Sequence, residues 1–120
     1  MGLLNLPRVE KIAQRRWEIA VQYLEGLRGA KGLGLPVFPP DSFCSLMRFP
    51  IRILNQNREV FYSKCLKKGL DLGFSFSYSC SDECRNAKLA GEQVVNLPLN
   101  SHLRDEEVKR IVQTVQEIMA

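Results

Sequence analysis

The sequence predicts an α+β fold, in which a small sheet of about three strands has helices packed on one face. Three observations predict this class. Apolar residues follow helical spacing at both ends of the chain, while segments between them alternate apolar and polar residues. Glycine and proline separate these segments. A length of 120 residues suits a single domain with one hydrophobic core.

A long helix is predicted to open the chain, with residues 1–31 forming a linking helix and residues 32–120 forming the α+β body. Pro7 suits a first helical turn, and a glycine-rich stretch suits its end. Trp17 and Val21 widen the apolar side of this helix. The positions that share the helical spacing are Val9, Ile12, Ala13, Ala20, Tyr23, Leu24 and Leu27.

A first strand is predicted at residues 46–54, after a connector at residues 29–45 that its prolines keep irregular. Pro50 cannot donate a hydrogen bond within a sheet. Either this strand lies at an edge, or the Pro50 nitrogen faces away from the neighbouring strand. The residues expected on its packed face are Met47, Phe49, Ile51 and Ile53.

Helices and strands alternate through the rest of the chain. Asn57 is placed to cap a helix over residues 58–68, and Gly69 is placed to end it. Residues 70–78 alternate most regularly and form the clearest predicted strand. The apolar side of the middle helix is expected to consist of Val60, Phe61, Cys65 and Leu66. A helical turn at 83–89, a strand at 93–97 and an amphipathic helix ending at Met119 follow.

Composition and charge exclude several classes of protein. Apolar residues make up 45% and charged residues 25% of the chain, which is typical of a globular protein. No apolar run approaches the roughly 20 residues of a membrane span, and the start lacks the pattern of a signal peptide. The expectation is therefore a cytoplasmic chain with no membrane partner. The net charge of +4 is modest and its acids and bases intermingle, which argues against a nucleic-acid partner.

The cysteines do not predict a metal site. Cys80 and Cys84 share a spacing of four, but a structural zinc site needs a second pair or a histidine at ligand spacing. The single histidine, His102, stands alone in a predicted turn. We expect no metal, and reduced thiols. The chain also shows no Ser/His/Asp set and no phosphate loop, which disfavours a small enzyme acting alone.

Several short motifs follow one another along the chain in a characteristic order. They are an arginine pair in the helix at 15–24, Leu35-Pro36 in the connector, a strand and helix closed by glycine over 49–69, Asn86-Ala87, and Leu97-Pro98-Leu99 before Asp105-Glu106-Glu107-Val108. In this order and spacing they resemble the C-terminal small domain of DegT/StrS-type sugar-nucleotide aminotransferases. Those enzymes depend on pyridoxal phosphate (PLP).

The resemblance implies a chemistry in which an amino group passes from glutamate or another donor to a keto-sugar nucleotide. In the family, the PLP lysine and the aspartate that pairs with the PLP ring come from a large N-terminal domain. We find no counterpart for either residue, so no cofactor is expected in this chain and the isolated chain is expected to be inactive. The lysines considered are Lys64, Lys67, Lys68, Lys88 and Lys109.

The same resemblance implies that this domain lines one side of a sugar pocket. The substrate-facing candidates are Ser42, Arg48, Tyr78 and Asn100, and no catalytic residue is expected. Each also has an ordinary interpretation as a turn serine, a solvated strand arginine, a strand-end tyrosine and a turn asparagine. Asn100 stands where many members carry histidine, and Arg104 stands where a capping serine or threonine is common.

Two functions remain open at this point. The first is a C-terminal domain that completes a substrate pocket or a dimer interface in a sugar-nucleotide aminotransferase of polysaccharide biosynthesis. Its partners would be a large domain or a second copy, and its ligand a sugar nucleotide. The second is a free-standing interaction or self-associating module. In it, a partner protein or a second copy of the chain would cover the apolar side of the first helix around Trp17 and Val21.

Overall fold

The computed structural model describes residues 2–74 and 78–120, and it confirms the α+β class. A short helix α1 (Gly2–Asn5) and a 3-10 turn (Leu6–Arg8) precede the long helix α2 (Val9–Leu27). The remaining elements are β1 (Leu33–Gly34), β2 (Phe49–Ile53), α3 (Arg58–Lys67), α4 (Arg85–Gln93), β3 (Val94–Leu97) and α5 (Asp105–Met119). Among the described helices, none is both long and apolar enough to cross a membrane.

The sheet is antiparallel, with strand order β1-β2-β3. Phe49 pairs with Leu97 and Ile51 pairs with Val95, so these four side chains point to the same face. All four are buried in one core with the apolar sides of α2, α3 and α5. The sequence therefore predicted correctly that helices cover one face of a small sheet.

Pro50 lies in the central strand, so the predicted edge position is wrong. The alternative holds. Asn96, the partner of Pro50 in register, uses both its backbone N–H and its C=O on the opposite side, toward Gly73 at 2.8 and 3.0 Å. The N–H and C=O of one strand residue point the same way, so the Pro50–Asn96 pair needs no hydrogen bond. Proline is therefore tolerated here because its nitrogen faces away from β3.

The predicted strand at residues 70–78 is wrong within the described residues, and residues 75–77 lie outside them. Only an isolated bridge joins Gly73 to Asn96. Leu70 and Leu72 are buried as the alternation predicted, but Tyr78 is 68% exposed. Alternation predicts which side chains turn inward, whereas a strand also needs a partner over several residues. Among residues 70–74 and Tyr78, only Gly73 pairs with β3.

Four smaller predictions also need correction. Met47 is exposed, because β2 begins only at Phe49 and the alternation does not extend back to it. Val60 and Leu66 are half exposed, because α3 turns Phe61 and Cys65 inward instead. The connector, predicted to be irregular, contributes β1, and the predicted turn at 83–89 is the helix α4, which leads directly into β3.

The helix ends follow the predicted chemistry. The Asn57 side chain accepts hydrogen bonds from the N–H groups of Glu59 and Val60 at 2.8 and 3.3 Å. Gly69 has φ = 78°, the left-handed conformation that ends many helices. Arg104 makes no side-chain cap to α5. The Glu107 carboxylate instead accepts from the Arg104 N–H at 2.8 Å, which lowers the pKa of Glu107.

Helices α2 and α5 approach closely at Gly26. A Cβ at this position would come within 2.7 Å of Val112 Cγ1, so only glycine fits without movement of Val112. Gln116 Nε2 donates to the Gly26 carbonyl at 2.6 Å. At the other end of the pair, Arg15 donates to the Asp105 carboxylate at 2.8 Å. Hydrogen bonds from Gln22 and Arg15 lower the pKa of Asp105.

Tyr23 connects α2 to the sheet. Its side chain is fully buried, and its ring packs on Phe49 with centroids 5.1 Å apart. The hydroxyl donates to the Pro98 carbonyl at 2.7 Å, immediately after β3. Burial raises the pKa of Tyr23, so this phenol remains a donor.

We expect Tyr23→Phe to lower the free energy of unfolding by about 1–2 kcal/mol, because it leaves the Pro98 carbonyl without its donor. Urea denaturation followed by circular dichroism measures the change. Tyr78→Phe, at an exposed tyrosine, is the matched control and should change stability by less than about 0.5 kcal/mol. Equal effects of the two substitutions would contradict the structural role of the Tyr23 hydroxyl.

The reactivity of the four cysteine thiols should depend on how deeply each one is buried. Cys80 and Cys84 are exposed, Cys44 is half-buried, and Cys65 is buried with a pKa raised to about 11 by that burial. A disulfide reagent at neutral pH should therefore modify Cys80 and Cys84 first, and Cys65 only at the rate of unfolding. Mass spectrometry of a time course identifies each modified thiol. Rapid labelling of Cys65 in the folded chain would contradict the core described above.

Candidate functional site

A cleft of about 290 Å³ opens beside the ends of β2 and β3. Three parts of the chain meet there: the residues before β2, the segment after α3, and the turn after β3. The residues that line it are Met47, Arg48, Asp71, Leu72, Gly73, Asn96, Leu97, Pro98 and Leu99. The cleft therefore places one cation and one carboxylate beside apolar side chains at a sheet end, a composition suited to a ligand with both polar and apolar parts.

The two charged side chains of this cleft do not neutralise each other. No ion pair within 4.0 Å joins Arg48 to Asp71, and Arg48 forms no salt bridge with any other residue in the described ranges. Both residues are exposed. A ligand with an anionic part and a hydroxylated part would therefore find both a donor and an acceptor here.

A chain of contacts fixes Asp71. The Tyr62 hydroxyl donates to Asp71 Oδ1 at 3.0 Å, and this hydrogen bond raises the pKa of Tyr62. The Tyr62 ring packs edge-on against Phe74, with centroids 4.8 Å apart. The Arg58 guanidinium lies over Phe74 at 5.4 Å. An exposed carboxylate is thus held in one orientation by residues of α3 and of the segment that follows it.

Arg58 also supports one side of the cleft, although it is not among the residues that line the cleft. It donates to the carbonyls of Gly91 and Val94, at the junction of α4 and β3. Asn96, two residues further along β3, is 5% exposed and pairs through its backbone with Gly73. Arg58 therefore ties together the two segments, one carrying Gly73 and one carrying Asn96, that form this side of the cleft.

The structure places the four predicted site residues in different surroundings. Arg48 lies in the cleft. Ser42 lies in a separate cavity of about 420 Å³ that includes Trp17, and its hydroxyl donates to the Pro39 carbonyl at 2.6 Å. Tyr78 is exposed, and its backbone lies against Gly91. Asn100 follows the cleft residue Leu99, and its side chain accepts from the His102 N–H at 3.0 Å.

Sequence reasoning missed Asp71, Tyr62 and the role of Arg58. Asp71 was grouped with the polar side of a strand, and Tyr62 was not assigned to either side of α3. One signal was available for Arg58. A cation in the first turn of a helix opposes the helix dipole, so its presence there suggests a tertiary partner.

The residues of this chain do not fit covalently bound PLP. A lysine that holds PLP needs a shielded site with a carboxylate partner for the ring nitrogen. All seven lysines lie in the described ranges and all are exposed; Lys68, for example, pairs with Glu117 at 2.6 Å on the surface. In the same ranges, no group of three or more His, Cys, Asp or Glu side chains could hold a metal ion.

The comparison with known proteins points in one direction. The sequence model of the DegT/DnrJ/EryC1/StrS aminotransferase family matches residues 1–116. The chain is similar to the dTDP-3-amino-3,4,6-trideoxy-alpha-D-glucose transaminase of Streptomyces venezuelae, with 27% identity over 126 residues. That alignment covers 95% of this chain and 33% of the relative.

Solved structures give the same result. S. venezuelae DesV in complex with a ketimine intermediate superposes with a TM-score of 0.85 and 26% identity, over 97% of this chain and 34% of that chain. The aminotransferase TlmJ from Streptoalloteichus hindustanus gives a TM-score of 0.85 and 25% identity, over 98% and 34%. The chain thus spans about a third of the length of the relatives it matches.

We expect Arg58→Lys to lower the free energy of unfolding by about 1–3 kcal/mol, because lysine cannot reach both carbonyls and also cover Phe74. Hydrogen exchange should accelerate at the Gly73 and Asn96 amides. Arg110→Lys, on the exposed side of α5, is the control. If the two variants exchange alike at Gly73, Arg58 does not anchor this part of the cleft.

Proposed function

Because the chain belongs to the DegT/DnrJ/EryC1/StrS aminotransferase family, we propose that it is the C-terminal small domain of a PLP-dependent sugar-nucleotide aminotransferase. Its role is to complete the substrate pocket, and it does not catalyse alone. The observation that carries this proposal is the whole-chain correspondence to about one third of each relative. Residues 1–31 would serve as the linking helix and residues 32–120 as the pocket-lining body.

The exposure of the lysines supports the proposal that this chain does not hold the cofactor. A chain whose lysines are all exposed has no shielded amine for PLP. The cofactor chemistry, transfer of an amino group to a keto sugar, would then come from residues of the remaining two thirds of such an enzyme. What this chain offers is a cleft with one cation and one carboxylate at a sheet end, which fits binding and orientation of substrate better than proton transfer.

One observation favours a second function, self-association or docking to another polypeptide. The first residues of the chain expose large apolar side chains, with Leu3 at 87%, Leu4 at 75% and Leu6 at 64%. Exposed apolar surface of this kind is usually covered in an assembly. The flank named in the sequence analysis is less available, because Trp17 is half-buried against Phe38 and Phe43 at 5.3 and 6.0 Å.

The experiment that tests catalysis uses the purified chain with PLP, glutamate and a keto-sugar nucleotide. We expect no amino sugar by mass spectrometry and no PLP absorbance co-eluting with the protein on size exclusion. A catalytically active relative of full length, assayed in parallel, shows that the substrates are competent. Amino-sugar formation by the chain alone would overturn the proposal.

Light scattering on the same column tests the second function. The chain has a mass of 13.7 kDa. A mass that doubles with concentration would support self-association, and Leu3→Ser together with Leu6→Ser should then restore the monomer without loss of circular dichroism. A constant monomer mass over the whole concentration range would exclude self-association.

A further inference from the structure

Resting on the proposed function, we propose that Asp71, held by Tyr62, is the residue that recognises the sugar hydroxyls of the nucleotide sugar, while Arg48 binds the phosphate group next to the sugar. The cleft described above supplies both groups. The proposal therefore assigns a direction to the ligand, with the sugar at the end of the cleft nearer α3 and the phosphates at the end nearer β2.

The orientation of the ligand follows from charge. A carboxylate repels a phosphate but accepts hydrogen bonds from neutral hydroxyls, whereas a guanidinium binds phosphate oxygens through paired N–H groups. Since Asp71 and Arg48 line the same cleft and do not pair with each other, each is available to the part of the ligand it suits. The reverse orientation would place two negative groups together.

The size of the cleft limits what it can take. Its volume of about 290 Å³ lies at the lower end of the range of small-molecule sites, roughly 300–1,000 Å³. It can receive a sugar ring and an adjoining phosphate group, but it cannot enclose a whole nucleotide sugar. The nucleoside would therefore extend beyond this chain, as expected of a pocket that another part of an enzyme completes.

Tyr62 distinguishes Asp71 from an ordinary surface carboxylate. Asp71 Oδ1 accepts the Tyr62 hydroxyl at 3.0 Å, and the Tyr62 ring is fixed against Phe74. One carboxylate oxygen is thus occupied, and the other is oriented in advance. A preoriented acceptor loses less side-chain freedom on binding than a mobile one, and this improves discrimination between sugars. Tyr62 is a positioning residue in this scheme.

The test is an NMR titration of the ¹⁵N-labelled chain with dTDP-glucose and, separately, with dTDP. We expect Asp71→Asn to weaken binding of dTDP-glucose about tenfold, the loss of one charged hydrogen bond, and Tyr62→Phe to weaken it about threefold. Neither change should alter binding of dTDP. Arg48→Gln should weaken both ligands. Asp82→Asn, at an exposed carboxylate outside the cleft, should change neither.

The outcomes separate the two proposals. If the chain binds dTDP-glucose and Asp71→Asn binds it equally well, the assignment of Asp71 is wrong while the pocket role stands. If Asp71→Asn weakens the binding of dTDP and of dTDP-glucose equally, Asp71 does not recognise the sugar, and the assignment again fails. A chain that binds neither compound overturns the pocket role and this inference together. The amide spectrum of each variant confirms that it is folded.

Discussion

The burial of α2 against α5 and the sheet is the constraint on which the rest of the structure depends. Gly26 allows the two helices to approach, and Tyr23 of α2 packs on Phe49 and donates to the Pro98 carbonyl. Pro98 immediately follows β3, so this hydrogen bond fixes the point at which the sheet ends and the turn toward α5 begins. The cleft opens at that point, so the packing of α2 on the sheet helps to set its shape.

Much of the fold could be predicted from sequence because its determinants are local. The apolar stripe of α5, the Asn57 cap and the Gly69 end depend on residues within a few positions of each other. The segment after Gly69 could not be assigned in the same way. Its alternation placed Leu70 and Leu72 inward correctly, but whether it forms a strand depends on how far β3 runs beside it, and β3 lies more than twenty residues later.

The candidate site was less predictable for a related reason. Arg48 was found through family resemblance, and the structure places it in the cleft. Asp71 is oriented by a hydrogen bond from Tyr62 of α3. Arg58 donates hydrogen bonds to carbonyls more than thirty residues away in the sequence. Such contacts leave no periodic trace in the sequence. Only the unfavourable position of Arg58 in the first helical turn hints at one of them.

The shortness of the sheet edges has a consequence for solubility. An open strand edge attracts other chains where several consecutive backbone N–H and C=O groups lack partners. On one side the edge strand is β1, which has only two residues and is followed, after Leu35, by Pro36. On the other side the edge strand is β3, and Gly73 pairs with its residue Asn96. Within residues 2–74 and 78–120, neither side presents a long ladder for intermolecular pairing. This arrangement gives another chain few consecutive backbone groups on which to add a strand.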